Sequence, residues 1–377
     1  MPPNRPLRDR LVSLATDPPG LYVVVVLAMA VLMTTTGLAT RAYNAERDAR
    51  ARSHFEHAQQ SAAAGKHDAA VAELREALVL DRGNARYQLA LATALYDLGR
   101  LREAESYLTD LLAREATSGP ANLTMARIAA ALGRDADATA YYDRAAYGRW
   151  EQDTARRRTE VRFEHATHLA RRGARPELLA QLLVLGEDLP ADDVAGRKRV
   201  AAMLMRAGAP ERAGDIYASL VTLAPDDAEV HAGLGEAAFR RSDYIAARSS
   251  LARAVAIDPE VPGATERLDL VDLVLSLDPT TRRLSTAERF RRSRLVLELA
   301  LASYEQCAES ATADPNRALV TTAVRERLAD RRLRPSDEAV EANLTMGERL
   351  RTETRARCRD DSREAMALDL LFRSMRR

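Results

Sequence analysis

Four histidines fall in two i, i+3 pairs, His54 with His57 and His165 with His168, a spacing that places two imidazoles on one helix face where a metal ion could take both. No thiol or carboxylate ligand recurs beside both pairs, so no metal is expected. Cys307 and Cys358 are too few for a thiolate site, and their chemistry is that of a disulfide pair or of two unrelated buried thiols. The chain has no GxxxxGK[ST] or GxGxxG to cradle phosphate, no GxSxG, no HExxH, and no CxxC or CxxCH. Adjacent acids such as Asp226 and Asp227 sit in turns and read as helix starts. Asn122-Leu123-Thr124 and Asn343-Leu344-Thr345 match the glycosylation triplet but fall inside expected helices. No catalytic residue, cofactor or small-molecule substrate follows from these patterns, and the chain does not read as an enzyme.

The elements that must carry these residues are helices. Hydrophobic residues make up 46% of the 377, yet aromatics only 5%, with Ala, Leu, Arg and Glu dominant, as close-packed amphipathic helices require. The 56 basic and 55 acidic residues nearly cancel, so no net field would draw the chain to nucleic acid. Lysine occurs only at Lys66 and Lys198, an arginine bias that fits GC-rich bacterial coding.

Residues 18–40 carry no charge, and residues 21–33 are an unbroken apolar run around Val23, Val24, Val25, Val26 and Leu27. At about 1.5 Å per residue the uncharged stretch spans ~35 Å, enough for a hydrocarbon core of ~30 Å. Three readings compete: an uncleaved anchor, a signal peptide cut near Gly37-Leu38-Ala39, and a buried soluble helix. The run lacks the polar face a soluble helix needs, and it is longer than a signal core, so the anchor is preferred. Arg5, Arg8 and Arg10 before it nearly balance Arg41, Arg47, Arg50 and Arg52 after it, and charge alone does not orient it. A short tail inside with the bulk exported is the commoner arrangement, and the cysteines lean the same way.

Gly65, Gly99 and Gly133 are 34 residues apart, as are Ala58, Ala92 and Ala126, and Ala70, Ala104 and Ala138. Three coincident ladders at one period mark repeated helix–glycine–helix units. Each glycine falls where the first helix must stop and reverse; the small residues fall where the two helices cross and only a methyl fits. The pattern resembles the tetratricopeptide repeat, whose units place small residues at positions 8, 20 and 27, a turn near 15 and often Pro at 32. Repeats begin at Ala51, Ala85 and Gly119, with Leu111 at the third small site of the second. After a short insertion around Arg156 to Arg158 a fourth shows Ala166 and Gly173 but Leu178, a substitution that could distort its hairpin. A fifth shows Ala201, Gly208, Ala213 and Pro225, and a sixth Gly235, Ser242 at the turn, Ala247, Ala254 and Pro259. Phe55-Glu56-His57-Ala58 recurs as Phe163-Glu164-His165-Ala166 at the same repeat positions.

The resemblance implies an all-α superhelix of stacked hairpins that binds a protein or peptide along its first helices. It points to Phe55, Gln59, Leu89, Thr93, Tyr96, Leu123, Arg127, Phe163 and Thr167 as candidate groove residues, which could instead simply pack between repeats. The Lys-and-Asn clamp that some relatives use for a terminal carboxylate is missing, since Phe55, Leu89 and Leu123 stand at its first position.

Beyond Pro259 the period fades while helices continue. A capping box, Ser285 to Glu288, opens a helix running to about Cys307. Asp314-Pro315 and Arg334-Pro335-Ser336 open two more, the second running to about Cys358. A last helix, residues 362–377, carries Leu368, Leu371, Phe372 and Met375 on one stripe and reads as a cap on the array in preference to a membrane-surface helix. Short turns make the first three run up, down, up, which brings Cys307 and Cys358 to the same end. In an oxidising compartment a bridge closing 51 residues would contribute roughly 4 kcal/mol on the chain-entropy model.

The sequence thus divides into a tail (1–20), a transmembrane helix (21–40), a repeat array (51–260) and a helical cap (262–377). It describes a bacterial inner-membrane, single-pass scaffold whose bulk lies outside the cytoplasm and engages a protein partner; the alternatives are a secreted adaptor released near Ala39 and an enzyme with an unrecognised site between Pro262 and Arg377.

Overall fold

The computed structural model describes residues 18–308 and 315–376. The tail with Arg5, Arg8 and Arg10, the helix start expected at Asp314, and Arg377 lie outside the described residues. Among the described residues there are seventeen α-helices and no strand; the one sheet-like feature is an isolated bridge between Ser118 and Arg149. The chain divides into two compact units, residues up to His168 and residues from Leu169 onward.

The first unit holds α1 (Pro18–Ala63), α2 (His67–Leu80), α3 (Ala85–Asp97), α4 (Leu101–Arg114), α5 (Gly119–Ala131), α6 (Asp135–Ala146) and most of α7 (Thr154–Arg172). Successive pairs form hairpins. At each turn the glycine takes a left-handed conformation, Gly99 with φ +74°, and the next amide closes a six-to-one bond back into the helix: Arg100 N to Leu95 O, 2.9 Å. The same turn recurs at Gly65 and Gly133, and in the second unit at Gly208 and, without glycine, at Ser242 with φ +64°. The small positions carry the packing. Ala70, Ala92, Ala104, Ala126 and Ala138 are all fully buried at helix crossings.

Residues 41–50, assigned from sequence to neither the span nor the array, prove to be helical. α1 runs unbroken for 46 residues, so the apolar stretch and the first helix of the first repeat are one rod. Nothing between Arg41 and Arg50 opposes this, since the segment has neither Gly nor Pro and is rich in Ala and Arg. Within the apolar half the hydroxyls of Thr35, Thr36 and Thr40 donate back to carbonyls one turn earlier, which hides their polar atoms.

The extra residues expected around Arg156 to Arg158 extend a helix: α7 begins at Thr154 and has 19 residues against 13 in α3 and α5, with the three arginines in its first turns, while residues 147–153 form the connection from α6, which ends at Ala146. The reason is local: Gly148 ends one helix by close approach to Gly119, while the Arg- and Glu-rich stretch after Asp153 favours helix.

The second unit holds α8 (Arg175–Asp188), α9 (Val194–Arg206), α10 (Pro210–Leu223), α11 (Ala228–Arg240), α12 (Tyr244–Ile257), α13 (Ala264–Leu277), α14 (Thr286–Ala308), α15 (Pro315–Ala329), α16 (Asp337–Arg357) and α17 (Arg363–Met375). Asp193, Asp227 and Asp243 accept first-turn amides at the starts of α9, α11 and α12. Gly235 is a small position that glycine alone fits, because a Cβ there would stand 2.6 Å from Leu251 Cγ. α14 and α16 run parallel, matched along their length by Arg289–Asp337 (2.8 Å), Ser293–Asn343 (3.0 Å) and Tyr304–Glu353 (3.2 Å). Their C-terminal ends meet at Cys307 and Cys358, joined with Cα atoms 5.9 Å apart. α17 lays Leu368, Leu371 and Phe372 into the same core, and the Tyr244 hydroxyl of α12 donates to Leu370 O at 3.3 Å.

Candidate functional site

Along the first helices of the first unit, two positions one turn apart recur on the same face: Leu89 and Thr93 on α3, Leu123 and Arg127 on α5. These four line one open cavity of about 820 Å³. Residues 149–152, with Arg149 and Trp150, form one wall, and Arg86, Leu111, Glu115 and Arg157 are among the rest of the lining. Apolar surface from Leu89, Leu123 and the indole is thus set among charged groups in a single concave feature.

The other candidate residues fall differently. Phe55 and Phe163, at the same repeat position as Leu89 and Leu123, are buried. Phe55 packs its ring 4.9 Å from that of Tyr87, beneath the Arg86 guanidinium, also 4.9 Å away. Gln59 is exposed, and Tyr96 and Thr167 are half-buried; none of the three borders the cavity. The Thr93 and Thr167 hydroxyls donate to Leu89 O and Phe163 O within their own helices, at 2.9 and 2.8 Å.

Arg127 is held by geometry. Its Nε and Nη2 each donate to Glu164 at 2.7 Å in a two-pronged pair, and Tyr142 donates its hydroxyl to the same carboxylate at 3.1 Å. Burial, reinforced by the Glu164 charge, pushes the Tyr142 phenol well up, so it keeps the proton it donates to that carboxylate. The His165 ring stacks on Tyr142 with centroids 5.0 Å apart. Burial holds this imidazole below its usual value against the opposing pull of Asp143. The two pairs differ: His165 and His168 are buried, whereas His54 contacts Glu73 at 2.7 Å and His57 is exposed; among the described residues no group of three His, Cys, Asp or Glu is placed to hold a metal ion.

The 147–153 connection is fixed at both ends. Arg149 N donates to Thr117 O at 2.7 Å, and Gly119 N donates to Arg149 O at 3.0 Å. Trp150 Nε1 donates to Ala145 O at 3.0 Å, with its ring against Gly119, where a Cβ would stand 2.5 Å from Cε2. On the other side Arg162 donates to the Tyr147 hydroxyl at 3.1 Å. Sequence reasoning missed this wall. Its signal was present: Gly133 and Gly173 are 40 apart, against a period of 34, and Gly119 and Gly148 are the small residues the close approach needs.

Both Asn-x-Thr triplets are internal. Asn122 donates to Ala116 O and Ser118 O, and Asn343 accepts from Arg327 while donating to Ser293; both are 1% exposed. In the second unit Arg351 is likewise buried, paired with Asp369 at 2.9 Å and bonded to Ser303 at 3.1 Å. These groups hold helices together.

Residues 61–118 match the family model of the tetratricopeptide repeat. No curated protein matches the chain in sequence. Solved structures that resemble it include the C-terminal part of a TPR repeat-containing protein from Cytophaga hutchinsonii (13% identity, 63% of this chain and 92% of that one, TM-score 0.45). Two others are PilF of Pseudomonas aeruginosa (16% identity, 59% and 97%, TM-score 0.39) and YrrB, described as a TPR protein with an unusual peptide-binding site (16% identity, 51% and 96%, TM-score 0.39).

Proposed function

We propose that this tetratricopeptide-repeat chain is a non-enzymatic adaptor, anchored in a bacterial inner membrane by residues 21–40, whose repeats lie outside the cytoplasm and engage a protein partner in a larger assembly. The observation that carries the reading is α1. Its most apolar stretch has no buried residue, yet the same helix continues into the first hairpin, where Ala51, Phe55 and Ala58 are core residues. An exposed apolar helix of this length is covered most simply by lipid. The cavity of the first unit is the place for the partner, because it joins apolar surface to fixed polar groups on a rigid scaffold.

The exported orientation agrees with the Cys307–Cys358 pairing, since disulfides persist in oxidising compartments. Protease added to spheroplasts should digest the repeats, and the mature N-terminus should be residue 1. Full protection would overturn export, and a start near residue 40 would replace the anchor with a secreted adaptor. Crosslinking in intact membranes with mass spectrometry should recover protein partners attached to the first unit; recovery of none would sink the adaptor reading.

A further inference from the structure

α1 sets the height at which the first unit stands above a bilayer. The helix leaves its uncharged stretch at Thr40 and continues without a break into the first hairpin. α2 returns antiparallel to it, so the connection at 81–84 comes back toward that stretch. There Arg86, in the first turn of α3, lies over the Phe55 ring at 4.9 Å, and the Tyr87 phenol feels the charge of Asp81 together with those of Arg52 and Asp48 on α1. The next two connections lie at the same end. Arg114 Nη1 donates to Gly83 O at 3.2 Å, which brings the end of α4 beside the first connection, and Arg149 N donates to Thr117 O at 2.7 Å, which ties the second connection to the third. The turn glycines Gly65, Gly99 and Gly133 are at the opposite end, a helix length away.

Asp48 is eight residues beyond Thr40, about 12 Å along the helix. A hydrocarbon core of ~30 Å inside a bilayer of ~40–45 Å leaves roughly 5–7 Å of headgroups on each side, so the first connection stands roughly 5–7 Å above them. That is within one Debye length, about 8 Å at physiological salt. The side chains at this end suit the position. Tyr43, on α1 just past the uncharged stretch, and Tyr147, in the third connection, are 67% and 68% exposed, and tyrosine is enriched at membrane interfaces. Arg82 and Arg149 are exposed and enter no ion pair among the described residues. Glu115 and Glu151 share this end, so its surface is of mixed sign, which matches a layer of phosphates and ammonium groups better than a sheet of anions. Resting on the anchor reading above, we infer that α1 is a rigid strut that holds the connections of the first unit, 81–84, 115–118 and 147–153, against the zwitterionic phospholipid headgroups of the leaflet from which it emerges. Arg82 and Arg149 donate to lipid phosphates, Tyr147 enters the interface, and the turn glycines face away from the membrane.

Trp150 is the only tryptophan in the chain and lies in the third connection, so its emission reports on this end. The test uses the full chain in vesicles of phosphatidylethanolamine and phosphatidylcholine that carry a nitroxide either on the headgroup or at the end of the acyl chain. Two variants on a Trp150→Phe background move the reporter. Gly83→Trp places it in the first connection, where a Cβ meets nothing within 4 Å, and Leu132→Trp places it beside Gly133 at the opposite end. Headgroup nitroxide should quench Trp150, quench the Gly83→Trp variant more strongly and leave the Leu132→Trp variant bright, while the deep nitroxide quenches none of them. Ala45→Gly with Glu46→Pro interrupts the rod at exposed positions between the span and the hairpin. This double change should restore the emission, with the circular dichroism of the hairpins retained.

Equal quenching at the two ends, no quenching of Trp150 or of the Gly83→Trp variant, or undiminished quenching once the rod is interrupted would overturn the inference. Flotation after an alkaline carbonate wash separates this failure from that of the anchor reading. A chain that floats with its vesicles while every reporter stays bright keeps the anchor and loses the headgroup contact. A chain that does not float overturns the anchor reading and the inference with it.

Discussion

Gly119 and Gly99 are glycines for different reasons, and replacing each by alanine separates them. Gly99 has φ +74° with nothing within 4 Å of where a Cβ would stand, so G99A costs only the strain of a left-handed alanine, about 1 kcal/mol. Gly119 is an ordinary helix-start residue whose Cβ position is taken by the Trp150 ring, with Cε2 2.5 Å away. Its neighbours are the end of a flexible side chain, so G119A should displace the indole rather than unfold the hairpin. Displacement breaks the Trp150 Nε1 to Ala145 O bond and uncovers part of a half-buried ring, together about 2 kcal/mol. The assay is tryptophan emission together with amide exchange at Arg149, whose N–H is bonded to Thr117 O. G119A should shift the emission to the red and speed that exchange, whereas G99A should lower the melting temperature with the emission unmoved. Native emission and exchange in G119A would refute the close-approach account of this connection.

Reduction, or the double change Cys307→Ser and Cys358→Ser, should destabilise the helices of the second unit by roughly 4 kcal/mol, seen as an earlier thermal transition by calorimetry. Leu251→Ala should cost about 3 kcal/mol in thermal unfolding, because the side chain is 1% exposed and wedged against Gly235. Burial lowers the His165 pKa below 6.5 in the native state, with Asp143 opposing and His168 and Arg162 reinforcing. The unfolded imidazole therefore takes its proton first, so stability present above pH 6.5 is lost as pH falls through that value. His165→Gln should flatten this slope in melts recorded from pH 8 to pH 5; an unaltered slope would assign it to other groups.

The repeats were legible because their period is written twice, in turn glycines and in buried alanines, and both sets have one steric cause. Gly65, Gly99 and Gly133 sit in left-handed turns, and Ala92 and Ala126 at crossings with no room for more than a methyl. The parallel pair of α14 and α16 followed from short turns joining three successive helices, and with it the meeting of Cys307 and Cys358. The cavity was only half legible. Leu89, Thr93, Leu123 and Arg127 could be read from register, but Phe55 and Phe163 hold the same register and are buried, because their neighbours close over them. Register fixes the face a side chain occupies, whereas exposure depends on what packs next to that face. The Arg127–Glu164–Tyr142 network joins residues up to 37 positions apart, and no local pattern announces it.

In a periodic array, residues that face the next hairpin are constrained by stacking, and changing them costs stability before it alters recognition. A segment that interrupts the period escapes that constraint once its backbone is pinned. The 147–153 connection lies beside the interruption at 154–158 and is pinned: Gly119, Gly148 and the Trp150 indole take up the packing and hydrogen bonding, and Arg149 and Glu151 are left exposed at the cavity rim. Packing and exposed charge are thereby placed on different residues of one loop. Charge changes at Arg149 or Glu151 should leave the melting temperature unmoved, because neither side chain carries the packing of the hairpins on either side.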